Sequence, residues 1–244
     1  MTEHLIRAGD RHHWTNEWLT SWQSFPATGN YDLFGNAHGV LVVHNDDVVG
    51  AGEGLDAHHH QNMEILTWVT EGAVAHRDSG GAEVVLTPGR LGYMRAGRGI
   101  THSERNAAAR SSGERLRVVQ MWVAPHADGL DPAHAERDLS VALAAGEPVV
   151  AASGLAAHTG SGAVEIANRF AALHVARPRD GQSITLPGAP FGHLFVVHGD
   201  VLTASGLALT EGDALRTTGA GPLRLTASAD SEILYWEMHA SFDV

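Results

Sequence analysis

The feature that most constrains this chain is a rhythm of short β-branched runs that never settles into a helical period. Runs such as LVVHNDDVV, EILTWVTE, LRVVQMWV, GHLFVVHG and EILYWEM are each five to ten residues long and are closed by glycine or proline at about ten-residue spacing. No segment sustains the 3.6-residue spacing of an amphipathic helix, so the sequence predicts an all-β chain of the sandwich or barrel kind. Glu71-Gly72 and Pro88-Gly89 mark turns between successive strands. One stretch differs: HADGLDPAHAERDLSVALAAGEP, residues 126–148, reads as a linker with a short helix, with Asp131 as N-cap, Pro132 in its first turn and Gly146 as its stop. The expected organisation is therefore residues 1–125, a 126–148 linker, and residues 149–244.

The second half repeats the first in outline. Glu71-Gly72, Pro88-Gly89 and Gly97 find counterparts in His198-Gly199, Glu211-Gly212 and Gly219, at offsets of 127, 123 and 122 residues. Two tandem barrels follow from this repeat.

Composition removes several chemistries. There is no cysteine, which excludes disulfides, thiolate metal sites and a thiol nucleophile. All sixteen basic residues are arginine, which excludes a Schiff base on lysine. A formal charge of −12 argues against direct binding to nucleic acid, because phosphate recognition needs a basic surface. The N-terminal MTEHLIRAGDRHHW lacks the charged start and apolar run of a signal peptide, and no apolar run approaches the roughly 20 residues of a membrane span. The expected compartment is the cytoplasm, with no membrane partner.

Between Gly52 and Asn106 lie two pairs of metal-ligand type. His58 and His60 sit two apart, as do His102 and Glu104, and on a strand residues i and i+2 share a face. Two such pairs brought together offer three imidazoles and one carboxylate. That set suits iron, manganese, nickel, cobalt, copper or zinc, and not calcium or magnesium, which prefer oxygen shells. His59 points to the opposite face of its strand. Glu64 is expected to stand behind the ligands, because Glu104 already fills the carboxylate role. His44 and His76 are expected to be structural. Positions counted from the repeat anchors place Thr185 and Pro187 opposite Arg224 and Thr226 in the second barrel, which predicts that it holds no metal.

Two further segments bear on partners. Trp14, Trp18, Trp22, Phe25, Tyr31 and Phe34 precede the first strong strand without helical spacing, and read as a lid over a barrel end. Seven arginines (Arg90, Arg95, Arg98, Arg105, Arg110, Arg115 and Arg117) cluster around the second ligand pair, which reads either as a solvated rim or as a local positive region.

The spacing of Gly52, five residues, His58-His59-His60, three residues, Glu64 and then Gly72 resembles the first cupin motif with one extra residue. Gly99-Ile100-Thr101-His102, three residues and Asn106 resembles the end of the second. More narrowly, VHNDDVVGAGEGLDAHHHQNMEI, EGAVAHRDSGG, RAGRGITHSE and VVQMWVAP resemble the pirin family of bicupins in its short bacterial form, over nearly the whole chain. The chain departs from that pattern at His59, where a proline is usual, and at Gln61-Asn62.

The resemblance implies a bicupin, two tandem antiparallel jelly-roll barrels, with one metal of iron type, Fe(II), held by His58, His60, His102 and Glu104 in the first barrel. It implies quercetin 2,3-dioxygenase activity, in which a flavonol and dioxygen are the substrates and carbon monoxide is released. Glu104 is then the expected base for the flavonol 3-hydroxyl, with Glu64 in reserve. Pirins also imply a second reading: a redox-sensitive, metal-binding regulator that docks on a transcription factor or a metabolic enzyme.

Overall fold

The computed structural model describes residues 2–27 and 32–242; Tyr31 lies outside them. Twenty-two strands and three single turns of 3-10 helix make up the regular structure of these residues. The strands form two seven-stranded and two four-stranded sheets, and every strand pairing is antiparallel except that of Val149–Ser153 with Val164–Glu165. Each half of the chain is one long sheet facing one short sheet, as the strand and turn rhythm predicts.

In the first half the long sheet runs Ala133–Asp138, Arg90–Arg95, Glu64–Glu71, Leu116–Val123, Leu41–Val49, Leu19–Gln23 and His12–Thr15. Its short sheet runs Gly54–His60, Ile100–Asn106, Val74–Asp78 and Glu83–Leu86. The Glu71-Gly72 turn thus carries the chain from one sheet to the other. Strand alternation decides what each face meets. On Glu64–Glu71, Ile65 and Val69 point into the first barrel while Leu66 and Trp68 point at the second half, so the first six residues of this strand are all buried.

The two long sheets share one core. Leu66, Trp68, Val119 and Met121 from the first half pack with Leu173, Val175, Phe195 and Trp236 from the second. Polar contacts fix the docking: Trp68 Nε1 donates to Glu232 Oε1 at 2.7 Å, and Arg117 spans the halves through Asp46 and Glu211. Separating the halves would expose both large indoles, each fully buried.

Strands also cross the expected boundaries. Thr2–Ile6 pairs with Ala214–Ala220 at the edge of the second long sheet, and Ala133–Asp138 closes the edge of the first. The segment 126–148 is therefore not a linker with a helix starting at Asp131-Pro132. The regular alternation of AHAERD is read by the free edge of Arg90–Arg95, and strand pairing outweighs the local capping signal. Only Ala142–Ala145 forms a 3-10 turn, and Gly146 ends it at φ 80°, as its position predicts.

The aromatic segment is dispersed and does not form one lid. Phe25 is fully buried between the halves, Trp18 packs on the Val49 and Leu116 cluster, and Phe34 is half exposed against Phe242.

Candidate metal centre

The ligand pairs lie on adjacent strands of the first short sheet. His102 on Ile100–Asn106 stands opposite His58 on Gly54–His60, and Ile100 stands opposite His60. The register then shifts by one residue, and Glu104 stands opposite Leu55. A bulge of this kind re-aims the side chains on either side of it. Gly54 permits the close approach: it sits at φ 148°, and a Cβ there would fall 2.3 Å from the Glu104 carbonyl oxygen.

The result is two overlapping groups. His58, His60 and His102 can place one nitrogen each within 4.8 Å of one another, and so can His76, His102 and Glu104 with their own ligand atoms. The ring centroids of the first group are 4.4 to 5.0 Å apart. Glu104 does not stand in the first group. Its Oε1 accepts from Thr67 Oγ1 at 3.2 Å and its Oε2 from Gln120 Nε2 at 2.5 Å. Each carboxylate oxygen has a second lone pair, so these bonds orient Glu104 without using up its capacity as a ligand.

The donor atoms suit a transition metal. The Nε2 atoms of His60 and His102 are shut off from solvent and have no hydrogen-bond partner among the described residues. Burial, together with the neighbouring imidazoles, pushes both rings down to about 4, so they are neutral and carry free lone pairs at neutral pH. His58 Nδ1 donates to the Asp56 carbonyl at 2.7 Å, so Nε2 is the nitrogen left to act as a ligand. Burial alone would raise Glu104, but the nearby imidazoles of His76 and His102 and the Thr67 hydroxyl hold it below the usual range. An ionised carboxylate beside two neutral imidazoles, with His58 as a third nitrogen donor, is a set that suits a cation.

His76, expected to be structural, is part of this centre. It stands opposite Glu104 in the sheet register, with Nδ1 3.8 Å from Glu104 Oε1 and its ring 5.2 Å from that of His102. Its Nε2 lies 3.2 Å from Asp78 Oδ2. The signal was present in AHRDS: with His76 and Asp78 on one strand face, the carboxylate can orient the ring. Thr67, Gln120 and Asp47 were not anticipated. Asp47 lines a narrow cleft with Glu104, and burial pushes it up to about 7 against a Ser21 hydrogen bond.

Glu64 is placed elsewhere. It shares its strand face with Leu66 and Trp68 and points away from the metal group, toward the second half. Its Oε1 accepts from Tyr93 Oη at 2.5 Å and the Ala167 amide at 2.6 Å, and its Oε2 accepts from the Asn168 amide at 2.7 Å. It clasps the two halves together. His44 is structural, as expected: it is fully buried against His193 and Phe195. His59 is exposed on the outer sheet face. Asn106 is a turn anchor, its Nδ2 donating to the carbonyls of Val49, Gly50 and Glu114.

The arginine segment is largely neutralised. Arg90 pairs with Glu136, Arg98 with Asp131, Arg105 with Asp56, Arg110 with Glu53, and Arg117 with Asp46 and Glu211. Carboxylates distant in sequence supply these partners, so the local charge count misleads. Arg95 and Arg115 form no ion pair among the described residues.

In the second barrel Thr185 stands opposite Arg224, as His58 stands opposite His102. Both are exposed, while Ile184, Leu186 and Leu225 face inward and fill the barrel with Leu194, Val196 and Tyr235. The pairing follows the repeat but the inward face is one residue out of step, and neither face presents a ligand set.

A Pirin family profile matches residues 7–123. A Mycobacterium tuberculosis protein, named provisionally as a quercetin 2,3-dioxygenase, is 42% identical over 98% of this chain and 96% of its own length. The Escherichia coli quercetin 2,3-dioxygenase is 33% identical over 96% of this chain and 98% of its own. The crystal structure of the bacterial pirin YhhW from Escherichia coli in complex with nickel(II) superposes with a TM-score of 0.87 at 29% identity, covering 98% of this chain and all of that one. With this fold, this arrangement of histidines and relatives of this closeness over their full lengths, the chain belongs to the pirin family.

Proposed function

We propose that the protein is a metal-dependent dioxygenase that opens flavonols such as quercetin across the 2,3 bond with release of carbon monoxide. One observation carries the reading: three imidazoles converge beside a buried, ionised carboxylate, two of them with buried Nε2 atoms that have no hydrogen-bond partner among the described residues. Relatives at 33% and 42% identity over nearly full length bear the name of this activity.

His58, His60, His102 and Glu104 would hold the metal, and Fe(II) suits three nitrogens and one carboxylate oxygen. When bound, it supplies Lewis acidity toward the substrate oxygens and one-electron chemistry toward dioxygen. Glu104, ionised at neutral pH, accepts the proton of the flavonol 3-hydroxyl. Thr67 and Gln120 hold that carboxylate in place by donating to its two oxygens. Asp56 fixes the tautomer of His58, and His76 with Asp78 backs Glu104 and His102. The substrate meets the centre from the side of His58 and His60, which are half exposed and flanked by Trp122, its ring 4.9 Å from that of His60.

A specific observation favours a second reading. The cavities that reach Glu104 from within the barrel measure about 50 and 10 Å³, far below the roughly 300 Å³ of a small-molecule site. A metal-binding regulator that docks on a protein partner needs no such cavity. Oxygen uptake and carbon monoxide release by the iron-loaded protein with quercetin separate the two readings. Equimolar consumption and release support the dioxygenase. No oxygen consumption by fully metallated protein with quercetin or related flavonols moves the account to the regulator.

A further inference from the structure

A cavity of about 690 Å³ lies away from the metal group. It is a cleft between the halves, walled on one side by the edge strand Ala133–Asp138 and its neighbour Arg90–Arg95 and on the other by residues 153–169. Its volume lies within the range of small-molecule sites, and its place between two packed units is where such sites occur. Tyr93, Ala167 and Ile166 of its lining also serve the Glu64 clasp and the shared core, while Leu130, Leu155, His158 and Arg169 take no part in the metal group, the clasp or that core.

Its charge sets it apart from the rest of the surface. Nine of the sixteen arginines pair with carboxylates: Arg7, Arg11, Arg77, Arg90, Arg98, Arg105, Arg110, Arg117 and Arg177. Arg95 and Arg169, both lining the cleft, have no such partner among the described residues. Arg95 is held in place by a bond from its Nε to the Asp131 carbonyl at 2.8 Å, which leaves its terminal nitrogens free for a ligand. Glu165 also lines the cleft but lies beyond ion-pair distance of either arginine. Arg95 also feels the buried Glu64 behind the wall, but that carboxylate is already occupied by three hydrogen bonds, so Arg95 and Arg169 are the cationic groups the cleft offers an anion, in a chain of net charge −12.

The remaining lining fits an organic anion better than a bare one. His134 and His158 add imidazole faces, the latter with Nδ1 engaged by Ser153 Oγ at 2.9 Å. Leu130, Leu155 and Ile166 supply an apolar wall. Arginine guanidinium binds carboxylate and phosphate oxygens in two-pronged fashion, and an apolar wall beside it receives the body of the same molecule.

We propose that the cleft between the two halves binds a small organic anion, with a carboxylate or phosphate head between Arg95 and Arg169 and an apolar body against Leu130, Leu155 and Ile166. The inference does not rest on the dioxygenase reading. It places a second ligand site on the molecule, joined to the metal group through His134, whose ring lies 5.3 Å from that of His76.

Calorimetric titration of the metal-loaded protein at low ionic strength tests it, with benzoate, phenyl phosphate, inorganic phosphate and neutral benzamide as probes. Saturable binding of benzoate or phenyl phosphate, with benzamide and inorganic phosphate at least tenfold weaker, is expected, and the tighter of the two organic anions identifies the head group. Arg169 is exposed and its guanidinium lies over the ring of its neighbour Phe170 at 4.9 Å, so Arg169→Gln should weaken binding about tenfold or more with only a small change in melting temperature. Arg115→Gln, at an exposed arginine outside the cleft, should leave binding unchanged. His102→Ala separates this site from an anion that ligates the metal: binding persists in that variant if the cleft is the site. Absence of saturable binding, binding untouched by Arg169→Gln, or binding lost in His102→Ala alone would each overturn the proposal.

Discussion

Glu64→Gln isolates the clasp between the halves from the metal chemistry. The substitution keeps size and shape but turns one of two acceptor oxygens into a donor. With the amide on the Oε1 side, it would face both Tyr93 Oη and the Ala167 amide; on the Oε2 side it faces the Asn168 amide alone. The second arrangement costs less: one buried N–H loses its acceptor, about 1–3 kcal/mol. For a chain of this length about 2 kcal/mol corresponds to a fall in melting temperature of roughly 4–8 °C. The pH dependence carries a second signature. Burial raises Glu64 above the ordinary carboxylate value, and its three hydrogen bonds only partly offset this. The folded state therefore binds the proton more readily than the unfolded one, so wild type gains stability relative to the variant as pH falls from the raised value to about 4.3. Thermal unfolding of both proteins across that window, with metal content measured alongside, checks the reasoning. A variant as stable as wild type, or one that loses its metal, would refute it.

Other expectations follow from the same geometry. His102→Ala should abolish stoichiometric metal by elemental analysis while circular dichroism stays all-β, because the packed cores and not the centre supply most of the stability. His76→Ala, which removes the group behind Glu104 and His102, should weaken metal binding about 10–100-fold in a competition titration without abolishing it. Gly54→Ala should cost about 2 kcal/mol or more in denaturant unfolding and lower metal content as well, since its Cβ would drive the Glu104 backbone away.

Much of this was legible in the sequence, and the residues that were not share a reason. Alternation and turn punctuation located the strands that hold His58, His60, His102 and Glu104, because one strand's side-chain direction is a local property. Register between strands is not local. The bulge that sets Glu104 opposite Leu55, and the pairing that brings His76 to Glu104, depend on which strands become neighbours. The same limit explains Glu64, whose strand face meets the second half more than a hundred residues away. It also explains the arginines, whose carboxylate partners Asp46, Asp56 and Glu211 come from other elements. The sequence from Asp131 to Asp138 shows the opposite failure: a sound local capping signal yields to a free strand edge.

Anomalous diffraction at the metal edges, on crystals of the protein as purified, tests the central claim most directly. The account predicts one peak per chain, bounded by the imidazoles of His58, His60 and His102 with Glu104 as the fourth protein ligand, and none in the second barrel, where Ile184, Leu186 and Leu225 occupy the interior. A fully ordered first barrel without that peak, or a peak that lies among other residues, would contradict it.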